Sequence, residues 1–281
     1  KKLQIIDSTT ITLFSNLIFK GIGRNPKSGK KKGGIKVHSN IHANEGVPSD
    51  IRFTSAATND CFMLKPSNYK NGDILAFDRA YIDYEKFEEL TKNEVVYVTK
   101  MKKKLVYTIH DDTMYMNAEG KMMYRVQNVS FTKKVKDGND IIHKARIITY
   151  VDVKKTKAKL ISLLTNDFSM EIEEIVDIYR QRWQIELLFK QLKQNFPLRY
   201  FYGESSNAIK IQIWTTLIAN LLLMVIQKRI KRTWSFSGLA TMFRIMLMYY
   251  VNCYTFFEEP GKDWLAILQN DESPPSEMML F

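Results

Sequence analysis

The sequence predicts an α/β protein, a mixed sheet flanked by helices with a β-rich insertion ahead of its longest helix. Three observations predict it. Extended and helical patterns alternate over the first hundred residues, short alternating runs separated by polar turns occupy residues 100–159, and helical patterns with long apolar faces fill most of the remainder.

The first element, Leu3–Phe14 (LQIIDSTTITLF), is rich in Ile, Leu and Thr, and Ile35–Ile41 and Asp50–Phe53 read as two further strands. Between the first two lies Lys20–Lys36, with seven Lys or Arg, five Gly and no acid, which cannot bury a core and reads as a mobile basic loop. A short helix is expected from Asn59. Asp73–Tyr81 (DILAFDRAY) is a hydrophobic strand running into Asp78, Tyr84–Leu90 has helical spacing, and Glu94–Thr99 is again a strand. In the insertion, Lys104–Ile109, Met122–Val126 and Ala145–Val153 read as strands, separated by turns at Asn117–Gly120 and Asp137–Asp140.

After a strand at Leu160–Asn166 comes the longest helix. Ser169 is its expected N-cap, with Glu171, Glu173 and Glu174 in the first turn, and it runs to Asn195, ahead of Pro197. Helices are expected next at Ala208–Arg229 and Phe236–Cys253, and an acidic tail from Glu258 is expected to fray. The division this implies is a core in two parts, residues 1–100 and 160–257, an insertion at 101–159 and a tail at 258–281.

Hydrophobic residues make up 45% of the 281 and charged ones 26%, which excludes disorder, collagen and a disulfide scaffold. With 42 Lys plus Arg against 30 Asp plus Glu, the formal net charge is +12, so an anionic partner is expected, nucleic acid ahead of membrane lipid. Cys61 and Cys253, far apart, can form neither a disulfide framework nor a zinc knuckle, and a reducing compartment is the natural reading. No secretory signal is visible. The apolar stretch Ile209–Ile226 contains Lys210, Gln212 and Asn220, so a buried helix is expected rather than a bilayer span.

The chemistry gathers on the long helix. In Tyr179–Asn195 (YRQRWQIELLFKQLKQN), at about 100° per residue, Tyr179, Arg182, Glu186 and Lys193 fall within an arc of roughly 60°. Beside them runs the apolar stripe Ile178, Ile185, Leu188, Phe189 and Leu192, expected to pack on the sheet. Two acids on strands complete the set. Asp7 lies inside an apolar first strand and Asp78 ends another; with the fourth strand parallel beside the first, they become neighbours, and Glu186 can come over the same point. Three such carboxylates repel one another unless a cation sits between them, and hard oxygen donors suit Mg2+ or Mn2+ better than zinc. Two such ions would support phosphoryl transfer on nucleic acid.

These residues resemble a known family. Tyr179-x2-Arg182-x3-Glu186-x6-Lys193 is similar to the Y-R-E-K signature of bacterial DDE transposases of cut-and-paste insertion sequences. IDSTTI around Asp7 and AFDRAY around Asp78 resemble the first and second Asp motifs, LLTN at Leu163–Asn166 the strand before the Glu helix, and Phe201–Trp214 the segment after that helix. The likeness covers roughly residues 3–225.

The resemblance implies a ribonuclease-H-like core with the insertion between the second Asp and the Glu helix. It implies that Asp7, Asp78 and Glu186 hold Mg2+, or Mn2+, and that Tyr179, Arg182 and Lys193, with Arg79 as a further contact, grip DNA phosphates. Its partners would be double-stranded DNA, transposon ends and target alike, and copies of itself in a synaptic complex, in the bacterial cytoplasm at the nucleoid. Relatives often form a hairpin and flip a base onto an aromatic residue of the insertion. Here the insertion has no Trp, leaving Tyr107, Tyr115, Tyr124, Phe131 or Tyr150 for stacking. Relatives also carry a helical DNA-binding region upstream of the first Asp, whereas only six residues precede Asp7, so end recognition is expected from further sequence. A nuclease of the same fold without strand transfer and a non-catalytic DNA-binding remnant remain the alternatives.

Among weaker features, Lys100, Lys102, Lys103 and Lys104, and likewise Lys154, Lys155, Lys157 and Lys159, are read as lining the same DNA channel as the basic loop. His38 and His42 have metal-ligand spacing for a helix but lie in strand-like sequence, and a structural or surface role is expected. Met242, Met246 and Met248 read as core filler. There is no phosphate-binding G-x-x-x-x-G-K-[ST] loop.

Overall fold

One nine-stranded mixed sheet organises the protein. The computed structural model describes residues 2–13, 33–117, 119–120, 122–134, 140–154, 157–198, 200–247 and 253–259. Most of the basic loop 20–36, the turn residues 137–139, Lys155 and the tail beyond residue 259 lie outside them. The strands are β1 (Leu3–Thr12), β2 (Gly34–His42), β3 (Val47–Ser55), β4 (Ile74–Phe77), β5 (Val96–Lys100), β6 (Thr108–Met116), β7 (Met123–Lys133), β8 (Ile141–Lys154) and β9 (Lys157–Thr165). Their spatial order is β3-β2-β1-β4-β5-β9-β8-β7-β6. Strands β1, β4 and β5 are parallel neighbours and every other pairing is antiparallel. The insertion strands therefore prolong the same sheet, with β9 bonded to both β5 and β8.

Helix α1 (Tyr84–Lys92) joins β4 to β5 and covers one face. Asp83 caps it by accepting from the Glu85 N–H at 3.2 Å, and Glu94, at φ +56°, closes its end, so β5 starts at Val96. Under α1, Phe77, Phe87, Tyr97, Phe131 and Leu164 are fully buried. The Phe87 ring centroid is 4.1 Å from that of Tyr97 and 5.7 Å from that of Phe77. On the other face α2 (Ile172–Gln181) packs against β4 and β5, and α3 (Trp183–Asn195) comes directly after it. The expected apolar stripe is buried at all five positions, Ile178, Ile185, Leu188, Phe189 and Leu192.

Several boundaries differ from expectation. The single long helix is two helices, broken at Arg182, whose N–H bonds the Tyr179 carbonyl three residues back at 3.2 Å. Ser169 is not the cap. Its N–H and hydroxyl both donate to Asp167 Oδ1, at 2.8 and 3.0 Å, and Glu171 takes the N-cap position without a side-chain bond. The strand expected at Lys104–Ile109 begins only at Thr108, because Lys104 turns the chain at φ +62°. The short helix after Asn59 is one 3-10 turn, Asp60–Phe62, capped by the Asn59 side chain. The helix expected over Phe236–Cys253 is α5 (Phe236–Met246), with α6 (Cys253–Glu258) a separate helix.

The chain forms two compact units, Lys1–Lys190 with Arg199–Lys210, and Gln191–Leu198 with Ile211–Phe281. In the second, Leu223, Leu239, Ala240, Met246, Phe256 and Phe257 are buried together with Met242 and Phe243 packed on them, and Trp234 Nε1–H donates to the Phe257 carbonyl at 2.9 Å. Met248 lies outside the described residues. Helix α4 (Ser206–Arg229) is, among the described residues, the one helix long and apolar enough to cross a membrane. It is not the buried helix expected, since Ile211, Trp214, Ile218, Leu222 and Val225 are exposed along it. Asn220 is buried and accepts from Gln191 Nε2 at 2.9 Å.

Replacing Phe87 by Ala, which empties the centre of the α1 core, is expected to cost about 3–5 kcal/mol in a denaturant titration. A loss below about 1 kcal/mol would contradict this account of the core.

Candidate active site

Strand register brings the two aspartates together. Ile6 of β1 lies opposite Phe77 of β4, so the next residues, Asp7 and Asp78, are adjacent across two parallel strands about 4.8 Å apart. Both project from the face that α2 covers, because alternation sends Ile6 and Phe77 into the α1 core on the other face. Helix α3 supplies Glu186 and the break between the helices supplies Arg182. The side chains of Asp7, Arg182 and Glu186 are 19%, 13% and 35% exposed, so this is a recessed charged group open on the Glu186 side.

Arg182 is the bridge. Its Nη1 donates to Asp7 Oδ2 at 3.4 Å and its Nη2 to Glu186 Oε1 at 2.5 Å. Its guanidinium carbon stands 5.6 Å from the Tyr179 ring centroid. Its Nε is buried without a hydrogen-bond partner, so the group satisfies the two acids at the expense of one donor. Burial pushes the Asp7 carboxyl up to about 6; the Ser8 N–H and Arg182 oppose this, while the charges of Asp78 and Glu186 add to it. Burial also raises the Tyr179 phenol, against the nearby Arg182.

Behind Asp7 lies a network invisible in the sequence. The Ser8 N–H donates to Asp7 Oδ1 at 2.8 Å, the Ser8 hydroxyl donates to Asp60 Oδ1 at 2.5 Å, and Lys36 Nζ donates to the same oxygen at 3.0 Å and to the Thr58 carbonyl at 2.5 Å. Asp60 is held below the usual carboxylate range by its hydrogen bonds to Ser8 and Lys36, which outweigh burial. No local spacing announces these partners, 52 and 24 residues apart. Lys100, read from sequence only as part of a basic run, also takes its place from strand register. Ile74 pairs with Val96 and Phe77 with Thr99, so Asp78 is followed across the sheet by Lys100.

The other two cations of the set are at the surface. Arg79 is exposed at the start of the 3-10 turn after β4. Lys193 is exposed near the C-terminal end of α3, in the second unit. Tyr124, Phe131 and Tyr150 are buried packing residues, which corrects their reading as base-stacking groups; Tyr107 packs against Phe131, and Tyr115 is 46% exposed. His38 is structural. It is fully buried and shares a hydrogen bond with Thr54 Oγ1 at 2.7 Å, and burial lowers its imidazole to about 4, so it is neutral at pH 7.

The donor chemistry of Asp7, Asp78 and Glu186 suits a hard divalent cation. Among the described residues, however, no three acidic, His or Cys side chains stand close enough to hold a metal ion as they are. Arg182 now provides the positive charge that a cation would bring to Asp7 and Glu186.

Comparison with known proteins gives a family match over residues 1–222, to the family described as the transposase DDE domain. A Sinorhizobium fredii protein named as a transposase is 28% identical over 79% of this chain and 60% of its own length. Proteins of Synechocystis and Geobacillus stearothermophilus, named as transposases of the insertion sequence elements IS4SA and IS5377, are 27% and 25% identical over 79% and 83% of this chain and 59% and 58% of theirs. The matched region thus spans about three-fifths of the length of these relatives. Among solved structures, the piggyBac transposase synaptic complex with hairpin DNA aligns over 97% of this chain and 58% of its own, at 11% identity and a TM-score of 0.49.

A carboxyl near 6 when folded and 3.8 otherwise binds its proton more tightly in the folded protein. Its contribution to stability is therefore full below about pH 3.8 and lost as pH rises through 6. In chelator-treated protein at pH 7, Asp7→Asn is expected to stabilise by about 3 kcal/mol, a gain that shrinks toward zero by pH 4. The difference between variant and parent is the quantity to measure, because His38 titrates with the opposite sign in the same range. A variant less stable than the parent at pH 7 would contradict the assignment.

Proposed function

Because the chain belongs to the transposase DDE domain family, we propose that it is the catalytic part of a DNA transposase, cutting DNA at the ends of a mobile element and joining the freed 3′-hydroxyl to a new strand. Asp7, Asp78 and Glu186 would hold divalent cations, Mg2+ or Mn2+, and double-stranded DNA is the substrate, engaged by copies of this chain that synapse two ends. The observation that carries this reading is the in-register pair Asp7 and Asp78 facing Glu186, with a bridging guanidinium where a counter-cation is required.

When bound, such ions supply charge neutralisation at the phosphate and activate the attacking hydroxyl. The rest falls to the chain. Asp7, recessed and destabilised as an anion, would gain from a cation beside it. Arg182, once relieved of Asp7 and Glu186, is free to turn its fork to a phosphate, satisfying the Nε that now has no partner. The Tyr179 phenol, kept protonated by its raised pKa, donates to a phosphate oxygen beside it. Lys193 and Arg79, both exposed, would anchor the flanking backbone without reading sequence. Base stacking, if hairpins form, falls to Tyr115 or Tyr107.

Asp7→Asn, Asp78→Asn and Glu186→Gln are each expected to lower metal-dependent nicking of supercoiled plasmid by roughly a hundredfold or more, with DNA affinity nearly unchanged. Parent-like nicking by any of them rejects the metal assignment. Lys193→Ala should reduce the salt dependence of duplex binding by about one phosphate contact while the metal-induced thermal shift persists; an unchanged slope counts against its role. Joined products from a 3′-hydroxyl oligonucleotide distinguish a transposase from a nuclease of the same fold, which yields cleavage alone.

A further inference from the structure

The row that contains the two aspartates has a third member. Asp7 on β1, Asp78 directly after β4 and Lys100 at the end of β5 come in register as the residues after Ile6, Phe77 and Thr99, three parallel strands in succession, and strand alternation sends all three to the same face. Lys100 is thus one strand from Asp78 and two from Asp7, on the side away from β2 and β3. Beyond it β9 presents Leu163, fully buried, so the polar row ends at Lys100.

Its surroundings are cationic. Partial burial, then the like charges of Lys159, Arg79 and Arg182, hold its ammonium below the usual lysine range, with Asp78 opposing. No ion pair neutralises Lys100 among the described residues. A partly buried ammonium whose cationic neighbours outnumber Asp78 favours a further anion, the mirror image of the carboxylates' need for a cation. The remaining lysines of the run, Lys102, Lys103 and Lys104, lie past the end of β5 and outside the row.

We propose that Lys100 is a phosphate-binding residue of this site, holding a non-bridging oxygen of the reacting phosphodiester at the Asp78 end of the row. This rests on the transposase reading above. The phosphate then lies with the guanidinium of Arg182 toward Asp7 and the ammonium of Lys100 beyond Asp78, so that its two free oxygens meet separate cations. Lysine suits the position as a compact charge on a long stem that reaches from a strand end without a fixed fork geometry.

The test uses the 281-residue chain with supercoiled plasmid and Mn2+, and a nicked duplex of about four helical turns for binding. Lys100→Met keeps the apolar stem and removes the charge; it should lower nicking at least about tenfold and reduce the salt slope of duplex binding by about one contact. The melting temperature and its shift by Mn2+ should stay at parent values, and Lys100→Arg should restore most of the nicking. Parent-like nicking and salt slope in Lys100→Met, with Asp78→Asn inactive, would overturn the proposal and leave the transposase reading standing. Loss of the Mn2+ shift in Lys100→Met would also overturn it, by placing the lysine's effect in the fold or the metal pocket. Parent-like nicking by Asp78→Asn would instead overturn the transposase reading itself.

Discussion

The site depends on a single constraint, the parallel pairing of β1 with β4 in a register that puts Asp7 beside Asp78. Two carboxylates held about a strand spacing apart by backbone hydrogen bonds cannot relax away from each other as surface side chains do. A third, Glu186, is delivered by a helix whose apolar stripe is buried. Repulsion among the three is thus built into the fold, and its remedy is positive charge from outside the sheet. Arg182, at the junction of α2 and α3, provides it as two hydrogen bonds and one unpaired buried nitrogen.

The compromise at Arg182 bears on stability. A buried Asp with its pKa raised to about 6 is a liability to the folded chain at neutral pH, and the network behind it shows how the fold contains the cost. Ser8 fixes one oxygen of Asp7 through its backbone, while its hydroxyl, Asp60 and Lys36 tie the other face of β1 to β2 and to the 3-10 turn. The carboxylate is therefore oriented by the fold itself. Lys100 extends the same logic with the opposite sign. The β-rich insertion contributes to it directly, since β9 continues the sheet from β5 and brings Lys159 into the field that Lys100 feels.

Strong periodicity was legible in the sequence. The alternation of Leu3–Thr12, the apolar run Ile74–Phe77 and the helical spacing of Tyr84–Leu90 each located an element to within a few residues, and topology rules then placed Asp7 beside Asp78. The misplaced boundaries share a cause, single residues whose backbone or hydrogen bonding departs from the pattern around them. Lys104 turns left-handed, Asp167 draws Ser169 away from the helix start, and Arg182 interrupts a helix whose side-chain pattern runs through it without a break. The candidate site shows the same division. Spacing and topology foresaw that Asp7 and Asp78 are neighbours, whereas Ser8, Asp60 and Lys36 meet through tertiary geometry that no local pattern encodes. The burial of Tyr124, Phe131 and Tyr150 escaped the sequence because burial on a two-faced sheet depends on which elements cover it.

The most direct measurement of the central claim is anomalous diffraction from crystals of the 281-residue chain soaked in Mn2+. A peak is expected within coordination distance, about 2.2 Å, of carboxylate oxygens of both Asp7 and Asp78, with Arg182 turned away from Asp7. Full occupancy of Mn2+ elsewhere, with the Arg182 bridge between Asp7 and Glu186 intact, would contradict it.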